Sequence, residues 1–502
     1  MVRLKQKNLQ QIEQLVSAQL EEGSSFSIPS YDRAGLSAGI VHFGVGGFHR
    51  AHQALYLDRL LSQGKNRDLA ICGMGVLAQD RTMRDILKEQ DYLYTLIARD
   101  PQGREDIRVI GSLVDYIWAP EDPARAIQYL ASEQIKIVSL TITEGGYNFN
   151  QVTHEYELDN PAVAQDLLNP QQPQTVFGLI VAALALRRER GLAPFTIMSC
   201  DNIQANGAMA RTVFTAHAQA LDPDLADWIR AEVAFPNSMV DRITPASTDQ
   251  DRSYVKQKLG YQDDWPVVTE DYIQWVLEDS FVSDRPDYQQ VGVQVVADVE
   301  PYEKLKLRML NSSHQGLCYF GHLAGYHYVD QAVGNPLIEQ LLLRYMREEA
   351  MPTLDKLADT DLEAYATTLI SRFSNRAIKD TVPRLCAESS DRIPKWLMPV
   401  VQDNLAKGGQ VRLAAAIVAS WARYAEGKDE QGQAIAIVDQ AEDTVRAAAQ
   451  AQLAGDELAF LRNKDFFGNI VDQPAFTEPY LKTLRSLHEI GSLKTLEQLL
   501  AQ

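Results

Sequence analysis

Residues 39–61, GIVHFGVGGFHRAHQALYLDRLL, set the architecture expected of this chain. An apolar, β-branched run opens the stretch, a glycine-rich turn interrupts it, and a helical pattern follows at once. Gly44 and Gly46 allow a tight turn and let backbone amides approach a pyrophosphate at the start of a helix. Gly47 follows Gly46 directly, and Arg50 is placed to offer charge to the phosphates. The spacing departs from G-x-G-x-x-G, because His49 stands where the third glycine would be. Many strand–helix junctions need glycine for geometry alone, so the neighbouring segments matter.

Outward from this stretch, strand patterns recur at LAICGMGV (69–76), IKIVSLTIT (135–143) and PFTIMSC (194–200). Amphipathic segments such as HQALYLDRLLSQG and PARAIQYLASEQ separate them. Strand and helix in alternation predict an α/β unit with a Rossmann-type, doubly wound, mainly parallel sheet. Short strands near IRVIGS and VGVQVVADV predict antiparallel additions to that sheet. The second strand ends in LAQDR, which places Asp80 where an acid binds the ribose hydroxyls of NAD. Asp80 lies farther beyond Gly44 than the usual ~20 residues, and the long intervening helix and loop absorb the difference. A plainer role for Asp80 is to cap the helix RTMRDILKEQ, and the two roles are compatible. Gln79 and Arg81 leave room for a 2′-phosphate, so NAD is the expected cofactor, with tolerance of NADP.

From about Tyr302 the pattern becomes helical, in KLKLRMLNSSHQGLCYFGHLAG, NPLIEQLLLRYMREEAMPTL, DLEAYATTLISRFSN and VRLAAAIVASWARYAEG. Two domains are expected: residues 1–300, binding the dinucleotide, and residues 301–502, a mainly helical catalytic and substrate domain. The 48 basic against 67 acidic residues give a formal charge of −19, which opposes nucleic-acid and anionic-membrane partners. Four scattered cysteines form neither a CxxC pair nor a disulfide framework. The N-terminus lacks the apolar core of a signal peptide, and runs such as Gly178–Leu186 are too short to span a bilayer. The cytoplasm is the expected location.

The segment from Glu303 to His314 reads as a helix whose apolar face carries Leu307, Leu310, Leu317 and Cys318. His314 falls in the middle of that face with Glu303 close by, and Lys306 and Asn311 lie on its margins. A histidine so placed is most simply a core residue. A lysine, an amide and a histidine on one face also suit hydride transfer at a secondary alcohol. That reaction needs a base for the hydroxyl proton, and a buried lysine can serve. It also needs donors for the developing alkoxide, which asparagine amides supply without titrating. The helical wheel does not choose between Lys304 and Lys306. His49-x-x-His52 and the pair His322 and His327 lack the carboxylate support of a metal motif, so no metal is expected.

TITEGGYNF, MSCDNIQANG, FPNSMVDRITP, WVLED, LKLRMLNSSH, RFSNRAIKDTVPRLC and DRIPKWLMPV, taken with GVGGFHRAHQALYLD, resemble the mannitol dehydrogenase family of long-chain polyol dehydrogenases. The likeness covers nearly the whole chain with its motifs in order. It implies metal-independent, NAD-dependent interconversion of D-mannitol and D-fructose by a monomer acting on a small polyol or ketose. The family's lysine precedes its asparagine by five residues, which implies Lys306 as the catalytic acid/base. Asn202 and Asn311 would form the oxyanion pair, His314 would orient the reacting oxygen, and Glu303 would pass protons to solvent. Asp241 and Arg384 match positions that hold polyol hydroxyls. Arg392 stands where the family has a lysine-type residue. Phe48, Thr143 and Glu144 join Gly44, Gly46, Gly47, Arg50 and Asp80 as implied cofactor contacts, and Gln79 replaces a second acid of NAD-selective relatives. Plainer readings are a helix cap for Asn202, an ion pair between Asp241 and Arg242, and a surface ion pair for Arg384. Fructuronate or tagaturonate reductase, an arabinitol or sorbitol dehydrogenase and, more distantly, a non-catalytic NAD(H) sensor remain as alternatives.

Overall fold

In the computed structural model, which describes residues 1–150, 155–357 and 360–502, the chain forms two units, Met1–Glu300 and Pro301–Gln502. The first is built on five strands, β1 (Ala38–Phe43), β2 (Ala70–Gly75), β3 (Leu113–Trp118), β4 (Ile137–Leu140) and β5 (Thr196–Ser199). All pair in parallel, in the order 3-2-1-4-5. The order reverses between β1 and β4, which is where open α/β sheets bind ligands. β1 is buried along its whole length, as an inner strand covered on both faces must be. Alternate residues serve opposite cores. Val41, Phe43, Val138, Leu140 and Ile197 pack against Phe177, Ile180 and Phe214. Ile40, Ile71, Ile137 and Met198 face Leu57, Leu60 and Leu87 on the other side.

Two expectations about this sheet need correction. The antiparallel pairs do not extend it. One joins 94–99 to 105–110 in a separate four-stranded sheet, another joins 238–241 to 274–278 in a three-stranded one, and a third joins 149–150 to 155–156 in a two-stranded one. Strand β3 was not expected, because Asp115 interrupts its apolar run. In the fold Asp115 accepts a hydrogen bond from the Tyr92 hydroxyl at 3.1 Å. Of VGVQVVADV only Gln294–Val296 is a strand.

The second unit is helical. Glu300–Leu305 runs into a π turn, Lys306–Asn311, and continues as Ser312–Leu323. The uniform 100° wheel therefore fails here, because a π turn holds an extra residue and rotates everything beyond it. Pro336–Tyr345 likewise runs into a second π turn, Met346–Ala350, which packs on the first. Pro336 stands at the start of its helix, where its missing N–H costs nothing, and Asn335 caps it by accepting from the Leu337 amide. The helix Arg412–Ala425 has Val411 at its N-cap, which offers no acceptor. Glu349 supplies one from the second π turn, accepting from the Leu413 amide at 2.6 Å and the Ala414 amide at 2.8 Å. Burial pushes that carboxyl up to about 7. No described helix is long and apolar enough to cross a membrane.

Candidate active site

The turn after β1 is shaped by one glycine and left open by two. Gly44 has φ +87°, and a Cβ there would lie 2.0 Å from the Thr141 carbonyl oxygen. Only glycine fits. A Cβ at Gly46 or Gly47 would meet nothing closer than 3.5 Å, so protein packing does not demand their bareness. Bare backbone at these two positions suits the close approach of a diphosphate, so the turn fits a dinucleotide. At the third glycine position His49 stacks on His42 of β1, ring centroids 3.4 Å apart and planes 13° apart. An imidazole pair thus takes over the close helix–strand packing that glycine usually provides. His52 bonds the Gln274 carbonyl through Nε2, so the H-x-x-H spacing serves packing.

Arg50 is held by the protein's own carbonyls, a use of its charge that the sequence does not show. It is buried, and its guanidinium donates to the carbonyls of Trp265 and Gly46 and lies 5.2 Å from the Tyr94 ring centroid. Phe48 stacks on His52 at 4.9 Å. The plainer reading of Asp80 as the residue that precedes and caps RTMRDILKEQ needs correction. The helix is Ala78–Glu89 with Leu77 at its N-cap. Asp80, within its first turn, reaches back so that Oδ2 accepts from the amides of Val76 at 2.9 Å and Leu77 at 2.8 Å, a reciprocal form of capping. That capping fixes the carboxylate at the C-terminal end of β2, where a ribose acid belongs. Arg81 lies over Trp118, and Gln79 is exposed.

The loop after β4 is strained. Thr143 is β-branched yet holds φ +65°, ψ 164°, a conformation that persists only when its surroundings impose it. Asp201, just after β5, imposes it by accepting from the amides of Ile142 at 3.2 Å and Thr143 at 2.8 Å and from the Tyr147 hydroxyl at 2.9 Å. Burial pushes this carboxyl up to about 6. Thr143 and Glu144 are exposed on the loop it clamps. Asn202 follows Asp201 and is exposed. The next helix, Asn206–Leu221, has Ala205 at its N-cap, and its first amides at Gly207 and Ala208 donate to Asn237. Asn206 ties this region to the strand Ser238–Asp241 through reciprocal bonds with Ser238, and Asp241 ends that strand, buried. Arg242 donates to the carbonyls of Ala51 and Glu270. Sequence reading passed over Asp201, Asn206 and Ser238 as parts of motifs without roles of their own.

In the second unit Glu303, Lys306, Asn311 and His314 are all buried on one continuous helical run. The choice that the wheel left open is favoured by geometry: Lys304 pairs with Asp355 at 3.0 Å, whereas Lys306 is only 7% exposed. Lys306 and Asn311 begin and end the π turn, whose bonds link residue i to i+5. Asn311 Oδ1 is buried with no partner among the described residues. That oxygen is an acceptor, so the capacity it leaves is for a ligand's hydroxyl, while donation belongs to the Nδ2 amine of the same group. His314 sits 5.0 Å from the Phe373 ring, and burial, reinforced by the charge of Arg384, lowers its pKa to about 3. Its imidazole is neutral at physiological pH. Arg384 forms a bidentate pair with Asp380, both bonds 2.6 Å. Arg392 donates to the Leu385 carbonyl at 3.0 Å and lies over Trp396.

A parallel sheet of order 3-2-1-4-5 with a glycine turn after β1 defines a dinucleotide-binding protein of the Rossmann class, here carrying an all-helical second unit. Profiles of the mannitol dehydrogenase Rossmann domain and C-terminal domain match residues 38–290 and 298–488. A mannitol 2-dehydrogenase of Phaeosphaeria nodorum is 42% identical over 96% of this chain and 85% of its own length. The solved structure of Pseudomonas fluorescens mannitol 2-dehydrogenase, a ternary complex with NAD and D-mannitol, is 40% identical with both chains fully covered and a TM-score of 0.86. A D-sorbitol dehydrogenase in substrate-free form is 36% identical over 99% of this chain and 100% of its own, with a TM-score of 0.90. The chain belongs to the mannitol dehydrogenase family.

Proposed function

We propose that this protein is an NAD-dependent polyol dehydrogenase that interconverts D-mannitol and D-fructose at C2. The observation that carries the reading is the buried array of Lys306, Asn311 and His314 across a π turn, with the competing Lys304 tied to Asp355. A bound nicotinamide supplies the hydride acceptor in oxidation and the hydride donor in reduction. Lys306 takes the proton of the C2 hydroxyl as the carbonyl forms, and returns it when the ketone is reduced. The amides of Asn202 and Asn311 donate to the oxygen as it becomes partly negative. His314, neutral, holds that oxygen in place by a hydrogen bond rather than by charge. Glu303 relays the proton to solvent. Asp241, Arg384 and Arg392 meet the remaining hydroxyls, and such polar groups select a polyol over a simple alcohol because unpaired buried donors are costly.

Asp80, held by backbone amides at the end of β2, favours ribose hydroxyls over a 2′-phosphate, while Gln79 beside it weakens that preference. The test is loss of NADH absorbance on addition of D-fructose, with D-fructuronate and NADPH in parallel. Rapid turnover of fructose supports the reading, and turnover of fructuronate alone overturns its substrate. The likeness to a D-sorbitol dehydrogenase favours a second substrate, D-sorbitol. Both hexitols give D-fructose on oxidation at C2, so only reduction of NAD⁺ by each hexitol separates them.

A further inference from the structure

A file of hydroxyl and imidazole groups, buried at Ser139 and His42 and half-buried at Thr141, ends on the carbonyl of Gly44, and none of these three side chains has a part in the chemistry above. That carbonyl lies 2.6 Å from the Gly46 amide, 2.7 Å from Thr141 Oγ1 and 3.3 Å from His42 Nε2. His42 Nε2 is also 2.9 Å from Thr141 Oγ1, and its Nδ1 is 2.8 Å from Ser139 Oγ. Counting protons orders the file. The Thr141 hydroxyl has one proton and gives it to Gly44, so its oxygen accepts from His42 Nε2–H. The imidazole is neutral, its pKa lowered to about 3 by burial, so Nδ1 is bare and accepts from the Ser139 hydroxyl. Ser139, His42, Thr141 and Gly44 thus form one directional relay with every donor used.

The relay controls the direction of the turn. In a trans peptide the carbonyl and the following N–H point to opposite sides. Holding the Gly44 oxygen against Thr141 and His42 therefore directs the Val45 N–H away from the sheet. Glycine at φ +87° has no side chain to limit its rotation, so beyond the Gly46 amide within the turn the constraint comes from Thr141 and His42. His42 also stacks on His49, beyond the far end of the turn, so one ring braces both sides of Gly44–Gly47.

We infer that Thr141, backed by His42 and Ser139, is a positioning residue that fixes the Gly44–Gly47 turn for the cofactor's diphosphate. This rests on the reading of that turn as the nucleotide site. The test compares Thr141→Val, which keeps the shape and removes the hydroxyl, with Thr141→Ser, which keeps the hydroxyl. NADH binding is measured by fluorescence titration of the full chain, together with kcat and the KM values for NADH and D-fructose. Loss of one buried hydrogen bond predicts about tenfold weaker NADH binding in Thr141→Val. KM for NADH rises alongside, while kcat and KM for fructose stay within about twofold of wild type, and Thr141→Ser restores binding. Wild-type affinity in Thr141→Val overturns the inference, as does a fall in kcat with NADH affinity unchanged. Where Thr141→Val does not fold, Ser139→Ala decides: it leaves His42 Nδ1 without a donor and weakens NADH binding in the same direction, and an unchanged affinity overturns the inference. Failure of the wild-type chain to bind NADH overturns the reading of the turn itself.

Discussion

The two units hold their functional groups in different ways, although each leans on a buried carboxylate that accepts backbone amides. In the first unit Asp201 clamps Ile142 and Thr143, and what it holds is backbone: a strained loop at the end of a central strand. In the second, Glu349 caps the helix Arg412–Ala425 from the π turn that packs on Lys306–Asn311, and the groups proposed to react there are side chains. A backbone site is damaged through position, and a side-chain site through chemistry. Damage to the first is expected in cofactor handling, and damage to the second in turnover.

The sharpest form of that contrast is Lys306→Ala. Removing the proposed acid/base is expected to lower kcat by about 10²–10⁴-fold while NADH titration stays normal. A variant that turns over fructose at the wild-type rate would return the choice between the two lysines to the start. Asp201→Asn comes next. An asparagine oxygen cannot serve two amides and a hydroxyl as a carboxylate does, so Thr143 relaxes. Weakening of NADH binding by about tenfold or more is expected, with the circular dichroism spectrum preserved. An equal loss in kcat with no change in NADH affinity would break the comparison.

Glu349→Gln probes the opposite unit and is expected to cost stability rather than function, about 1–3 kcal/mol for a buried amide left unpaired. Thermal unfolding as a function of pH reads it. The carboxyl's folded pKa of about 7 lies above its ordinary 4.5. Its contribution to stability is therefore complete below about pH 4.5 and lost as pH rises through about 7. The gap between wild type and variant is widest in acid and narrows through neutrality, and a gap that widens there contradicts the assignment. Smallest of all, Lys304→Ala removes an ion pair on a partly exposed residue and is expected to leave kcat within about twofold and stability within about 1 kcal/mol.

The fold was legible where one strand and its turn carried a strong local pattern. GIVHFGV is apolar on both faces, and both faces are covered. LVDYIW was missed because Asp115 looks like a break, and its partner Tyr92 belongs to another segment. The partners of Arg50 were hidden for a related reason. Beside a glycine turn a cation suggests phosphate, but its partner is the carbonyl of Trp265, more than two hundred residues away. The π turn left no trace in periodicity, so the helical wheel left the two lysines equivalent; only the family spacing implied Lys306, and the pairing of Lys304 with Asp355 favours the same choice. Asp201 sat unread beside Asn202, because its work is done on amides of another loop.

One extra residue in the turn Lys306–Asn311 also has a meaning for chain editing. A π turn amounts to an insertion accommodated within a helix. Deleting a residue there would rebuild a plain α-helix, yet it would swing His314 by about 100° relative to Glu303 and carry the buried helix beyond it out of register. Single-residue deletions in this segment are therefore expected to be far less tolerated than substitutions, because spacing itself is the information those six residues hold.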